Sequence, residues 1–239
     1  MNTGKTKLKI VLLLLAILVI LTIVLAMQRI DDKNIQIEGN NKYTKEEMLN
    51  YIFVSEWDRN PYVLYFKNKY GKVQKIPFVD AYQVKITGFN HVKIDVYEKK
   101  VIGYVKYMGT NMYFDKDGTV VESSLDTFSD VPPVTGLEFE NIILYEKLPV
   151  KEEEVFSLIL DTTQALQKYA IIVDKIYVSQ EKQITLYMGD IQVLLGGDND
   201  IDDKVRTLRD MSPNLSGLKG TLDIREYDEN SKGYTFKKE

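Results

Sequence analysis

The 239-residue chain has no cysteine and a single histidine. Without cysteine it forms no disulfide, offers no thiolate to a metal and lacks a cysteine nucleophile. His91 alone assembles neither a Ser-His-Asp triad nor a zinc site, and its place at the start of a strand beside a turn reads as a surface position. Acidic residues are missing from the first 27 positions, which hold Lys5, Lys7 and Lys9. Beyond them stand the other 28 of the 31 basic residues against all 35 acidic ones, net −7. Such a remainder has no basic footprint for nucleic acid and no attraction to anionic lipid. Heptad arrays, low-complexity blocks and internal repeats are also absent.

What the chain does have is one long apolar run, Ile10 to Met27, with Thr22 as its only polar side chain. Eighteen helical residues span about 27 Å, close to the roughly 30 Å hydrocarbon thickness of a bilayer. The lysines before the run, set against the near-neutral Arg29, Asp31, Asp32 and Lys33 after it, predict a cytoplasmic N-terminus and an exported remainder. A cleavable signal peptide, suggested by Val24-Leu25-Ala26, is the alternative; the run is longer than the usual apolar region of about 7–15 residues. A lipoprotein would need a cysteine. About 210 residues remain, enough for two small domains or one large one.

Past the run, Ile35 and Ile37 alternate with polar residues before Gly39-Asn40-Asn41, a short strand and turn. Thr44-Lys45-Glu46-Glu47 is a capping box, opening a helix to about Val54 that buries Met48, Leu49 and Ile52. Asn60-Pro61 opens a second helix carrying Val63, Leu64, Tyr70 and Val73 inward. Alternation then predicts strands over Tyr82 to Ile86 and Val92 to Tyr97, giving β-α-α-β-β order: a three-stranded sheet with two helices on one face. Strands follow over 101–108, 111–114 and 119–122, with Asp117-Gly118 as a hairpin turn. After Pro132-Pro133 come a helix over 152–169 burying Val155, Leu158, Ile159 and Leu166, and a meander over 172–178, 183–187 and 191–195. Asp200 or Asp202 caps a short helix over 203–211 that Pro213 follows, and the last strand runs over 220–225.

Motifs with chemistry are few. Asp198-Asn199-Asp200-Ile201-Asp202 imitates a calcium loop but carries Asp203 at the turn position and Arg209 at the twelfth, so it reads as a capped, solvated loop. Gly196-Gly197 fits no phosphate-binding pattern. Glu152-Glu153-Glu154 raises glycosidase chemistry on a cell-wall polymer, yet at a helix start three acids read as dipole partners. The 16 tyrosines suit interfaces, offering apolar area with a polar tip.

In order and spacing, these segments resemble the bacterial FtsQ/DivIB cell-division family. The resemblance covers essentially the whole chain. It rests on Ile37-Glu38-Gly39-Asn40 with Thr44 to Glu47, on Val92 to Lys99, on Tyr113 to Val120, on Val134 to Leu137, on Ile191 to Gly196 and on Gly220 to Arg225. Gly88-Phe89-Asn90 and Lys99-Lys100 depart from the aromatic-proline and arginine-proline pairs of many members. The resemblance implies an α+β chain: cytoplasmic tail 1–9, transmembrane helix 10–27, a small POTRA domain 31–99, a mixed β domain 100–226 with a mainly antiparallel sheet and packed helices, and a tail 227–239. It implies a non-enzymatic scaffold of the division septum, without cofactor or metal, that binds FtsB/DivIC-like and FtsL-like single-pass partners and acts on the septal peptidoglycan synthase indirectly. The docking surface it implies is Lys204, Thr207, Leu208 and Met211 of the last helix, Thr221, Leu222, Asp223, Ile224 and Arg225 of the last strand, and Tyr227 and Tyr234 beyond. Gly220 to Arg225 is expected to be an open edge strand unless Thr235 and its neighbours fold back on it. Two other functions compete: a membrane-anchored cell-wall enzyme and an export or sensory adaptor.

Overall fold

The computed structural model describes residues 3–197, 200–226 and 233–238, and divides into two compact units, Met1–Glu98 and Lys99–Glu239. The first opens with the helix α1 (Thr3–Ala26), whose segment Lys7–Ala26 is long and apolar enough to cross a membrane. Its one polar side chain within the apolar run, Thr22, turns its hydroxyl back to Val19 O at 2.7 Å, so no donor is left facing lipid.

The sheet of this unit begins with β1 (Ile35–Glu38). The helix α2 (Lys45–Ile52) starts as its sequence dictates: the Thr44 hydroxyl accepts the Glu47 amide at 3.3 Å, and the Glu47 carboxylate accepts the Thr44 amide at 2.7 Å. The Thr44 amide, and after it the Thr44 hydroxyl at 2.9 Å, hold the Glu47 carboxyl below the usual carboxylate range. Met48, Leu49 and Ile52 are buried, and the helix ends at Ile52. A single 3-10 turn, Glu56–Arg59, leads into α3 (Pro61–Tyr70), then β2 (Val79–Gly88) and β3 (His91–Glu98). The order is β1-β3-β2, with β1 parallel and β2 antiparallel to β3. In α3 the inward stripe differs from expectation. Pro61 and Leu64 are buried, whereas Val63, Tyr70 and Val73 are exposed. The phase is set by Asn68, one turn beyond Leu64, whose carboxamide is committed to β2.

In the second unit β4 (Gly103–Tyr107), β5 (Thr110–Phe114) and β6 (Val120–Ser124) form an antiparallel sheet. The Asp117-Gly118 turn between the last two is closed by the Asp115 carboxylate, which accepts the amides of Asp117 and Thr119. Next come β7 (Val134–Thr135), α4 (Glu153–Lys168), β8 (Lys175–Val178), β9 (Ile184–Met188), β10 (Ile191–Gly196), α5 (Ile201–Leu215), β11 (Gly220–Asp223) and β12 (Thr235–Lys238). These strands make a second sheet in the order β12-β11-β10-β9-β8-β7, antiparallel except for β7–β8 and β10–β11. Its inward residues, among them Ile176, Leu186, Val193 and Leu222, share one core with Ile159 and Leu166 of α4 and Val205 and Leu208 of α5. Leu158 of α4 is only half-buried, because the buried stripe runs through Val155, Ile159, Thr162 and Leu166.

Three expectations fail here. The helix expected over 203–211 runs from Ile201 to Leu215, with Pro213 inside it; the proline forfeits one hydrogen bond in the last turn, and burial of Leu215 keeps that turn on the core. Asp200 stands at its N-cap in the left-handed region (φ +68°) with no side-chain cap bond, and Asp202 lies inside the helix. The acidic loop at Asp198-Asn199 falls outside the described residues. Finally, β11 ends at Asp223 and is not the last strand, because β12 pairs with it.

Candidate partner-binding surface

The surface expected at the end of the chain is built from α5, β11 and the residues C-terminal to them. Lys204, Leu208 and Met211 lie at helical spacing on one face of α5, and that face points inward. Leu208 is fully buried, and Lys204 is only 1% exposed. The Lys204 ammonium donates to Arg225 O at 2.9 Å and to Leu195 O at 3.3 Å, while its stem packs beside the core. Lys204 therefore ties α5 to the ends of β10 and β11 and is no part of an open surface. Thr207 and Met211 are half-buried. On the other side of the helix, Asp202 accepts from Lys168 Nζ at 2.7 Å and Tyr169 Oη at 2.8 Å, and these bonds hold its carboxyl below the usual range. Arg209 lies over the Tyr169 ring at 5.1 Å. Lys168 of α4 and Tyr169 at its end thus touch the outer face of α5 at Asp202 and Arg209, which stay exposed.

Along β11 the alternation is as read: Leu222 and Ile224 are fully buried, Thr221 and Asp223 half-buried, Arg225 exposed. The Arg225 guanidinium clamps Asp223 at 2.6 and 2.9 Å, which outweighs partial burial and keeps that carboxyl low. The expected open edge is corrected. β11 pairs with β10 on one side and with β12 on the other, in the register Thr221↔Lys237, Leu222↔Phe236 and Asp223↔Thr235. Gly220 is what admits β12: its φ is +148°, and a Cβ there would stand 2.2 Å from Lys237 O. A glycine opening a strand was the available signal, since glycine in a strand marks close approach of another backbone. Tyr227 lies outside the described residues. Tyr234, immediately before β12, is 52% exposed.

The open edge has moved outward by one strand. Among the described residues β12 is paired only with β11, and its Lys237 and Lys238 are exposed. Each of the other sheet margins carries a blocking contact. Beyond β7 lies β4, through the Tyr104↔Pro133 bridge and Tyr104 N donating to Pro132 O at 3.2 Å. Along β6, Val120 N donates to Glu146 O, Tyr145 N donates to Val120 O, and Lys99 Nζ donates to Val121 O. In the first unit, Asn68 meets β2 as a strand would, Nδ2 donating to Tyr82 O at 2.9 Å and Oδ1 accepting Val84 N at 3.1 Å. At the start of β1, Lys45 Nζ takes Ile35 O at 2.6 Å. Sheet edges are templates for added strands; the arrangement leaves β12 as the one such template without a side-chain or main-chain block among the described residues.

Chemistry other than binding finds little here. Among the described residues no group of three His, Asp or Glu side chains is placed to hold a metal, and His91 is exposed with Nδ1 2.8 Å from Phe89 O. Comparison with known proteins found no matching family model. Two curated relatives align over 208 residues, 85% of this chain and 44% of their own length. They are the cell division protein DivIB of Staphylococcus aureus strain NCTC 8325, 23% identical, and that of strain MRSA252, 22% identical. The chain thus spans less than half the length of the relatives it matches. The resemblance read from its motifs is borne out: over most of its length the chain is a relative of the DivIB cell division proteins.

Proposed function

We propose that the chain acts in cell division as a membrane-anchored, non-enzymatic scaffold at the septum. Its N-terminus stays in the cytoplasm, the residues after α1 lie outside, and the part of the first unit beyond α1 serves as the POTRA domain of residues 31–99. The open edge of β12 takes up a strand from an FtsB/DivIC-like partner, with an FtsL-like protein in the same assembly and septal peptidoglycan synthesis affected indirectly. The observation that carries this reading is the margin of β12, which among the described residues is paired only on its β11 side, beside an exposed Tyr234. Strand addition there needs only backbone groups already aligned, while Tyr234, Lys237 and Lys238 offer side chains that select the partner. Thr207 and Met211 of α5 are only half-buried, whereas Lys204, Leu208, Leu222 and Ile224 are buried in the core of the same unit.

The test is capture of an FtsB/DivIC-like ectodomain by the full chain in detergent. Tyr234→Ala is expected to weaken capture about tenfold or more, as truncating an interface aromatic does, and deletion of residues 235–238 to abolish it. Unchanged capture by the deletion variant would refute the β12 surface. A fluorescent fusion is expected in a ring at midcell; a uniform rim would argue against the septal role.

A further inference from the structure

The apolar segment Lys7–Ala26 of α1 has 20 residues, about 30 Å of helix, which matches the hydrocarbon thickness of a bilayer. Leu25 and Ala26 therefore mark its outer boundary. At a helix end the last carbonyls have no partner within the helix, and here Asn60 supplies one. Its Nδ2 lies 2.8 Å from Leu25 O, 3.3 Å from Ala26 O and 3.1 Å from Gln28 O, while its Oδ1 accepts the amides of Tyr62 and Val63 at 3.0 and 3.1 Å and so caps α3. One carboxamide closes two helices. The chain between them has no slack: Gln28 and Ile30 are buried, Ile30 N donates to Arg59 O at 2.7 Å, Arg29 meets Glu56 at 2.5 Å, and Arg59 pairs with Asp32.

These contacts hold the turn Glu56–Arg59 at the level of the end of α1. The Asn60 amide donates to Trp57 O at 3.0 Å, one residue from the Glu56 that touches Arg29. The polar layer beyond the hydrocarbon is roughly 5–7 Å thick on each side, so the turn stands within it. Trp57 is the only tryptophan of the chain, and it is 73% exposed, with Val54 and Met27 exposed in the neighbouring segments. Indole, with an apolar body and one N–H, is favoured at headgroup depth.

We propose that the turn Glu56–Arg59 docks into the headgroup layer of the bilayer that α1 spans, with Trp57 as its interfacial anchor and Asn60 as the positioning residue that sets its depth. The inference rests on reading α1 as a membrane span. It makes the first unit a body seated on the membrane, with no free tether between helix and domain.

The test uses the full chain in vesicles of phosphatidylcholine and phosphatidylglycerol, where Trp57 is the only indole. Flotation with the vesicles at alkaline pH reads the span. In the floated chain, Trp57 emission is expected to be blue-shifted, quenched by lipids brominated near the headgroup end of the acyl chain, and shielded from aqueous iodide. A floated chain with hydrated emission, no loss with brominated lipid and free access to iodide would overturn the docking while leaving the span intact. A chain that fails to float would overturn the span, and the docking with it. Asn60→Ala is expected to float and to lose most of the brominated-lipid quenching; full quenching in that variant would refute the positioning role of Asn60.

Discussion

The sheets of the two units treat their margins differently. In the first unit the carboxamide of Asn68 occupies β2, bonding to Tyr82 O and Val84 N. In the second, β12 is paired among the described residues only with β11, and two exposed lysines stand on it. Blocking an edge with a side chain prevents strand addition, whereas lysines on an edge discourage flat self-pairing and still allow a chosen partner. On the proposed reading, the partner is to be sought at the edge that is charged and, among the described residues, unpaired, and not at the edge already satisfied. The units also differ in what holds their outermost elements. Asn60 and Arg59 fix the end of α1 and the residues just after it, while β12 is held by four residue pairs and the half-buried Phe236.

Substitutions at four positions probe this contrast. The largest loss is expected from Lys204→Ala, which removes a buried stem and leaves two backbone carbonyls without their ammonium. It should lower the stability of the second unit by about 3 kcal/mol in denaturant titration. Lys204→Met keeps the stem and should cost about half as much; equal losses would mean that packing contributes nothing.

In the first unit the matching buried charge is Asp58, whose carboxylate accepts from Lys67 Nζ at 2.7 Å and from the Ser55 amide at 2.8 Å. Burial raises its pKa, but the Lys67 and Ser55 bonds prevail and hold it below the usual value of 3.8. A lowered folded pKa means that its contribution is complete above the unfolded value and is lost as pH falls below about 4 through the folded one. Asp58→Ala should cost about 2 kcal/mol at neutral pH. Its stability profile should also be flatter than the parent's between about pH 5 and 2, as read by melting of the first unit; an unchanged acid slope would contradict the assignment.

Gly220→Ala attacks the margin itself. A Cβ at φ +148° meets Lys237 O, so β12 must shift, at a cost of about 1–2 kcal/mol. Amides of residues 235–238 should lose protection from exchange while those of β9 keep theirs. The smallest stability effect is expected from Tyr234→Ala, within about 0.5 kcal/mol because the ring is exposed, against a large loss of partner capture.

Where bonds are local, the sequence was a reliable guide. Thr44 and Glu47 form the capping box their spacing requires, Asn60-Pro61 starts α3, and Asp117-Gly118 turns between β5 and β6. It misled where distant segments decide. Lys204 looks like a surface lysine until the carbonyls of Leu195 and Arg225 arrive from 9 and 21 residues away. Pro213 looks like a stop until burial of Leu215 is counted. The four residues of β12 are too few and too polar to announce a strand, and only Gly220 hinted that a backbone would lie against it. Of the expected surface, Tyr234, Thr207 and Met211 remain accessible to differing degrees, whereas Lys204, Leu208, Leu222 and Ile224 became its foundation.

Hydrogen exchange at β12 reads strand addition there directly. Within Thr235–Lys238, the amides turned away from β11 should exchange freely in the chain alone. They should become protected when an FtsB/DivIC-like ectodomain is added, while the amide of Val84, already held by Asn68, should not change. Partner binding with no new protection anywhere in residues 235–238 would contradict strand addition at β12.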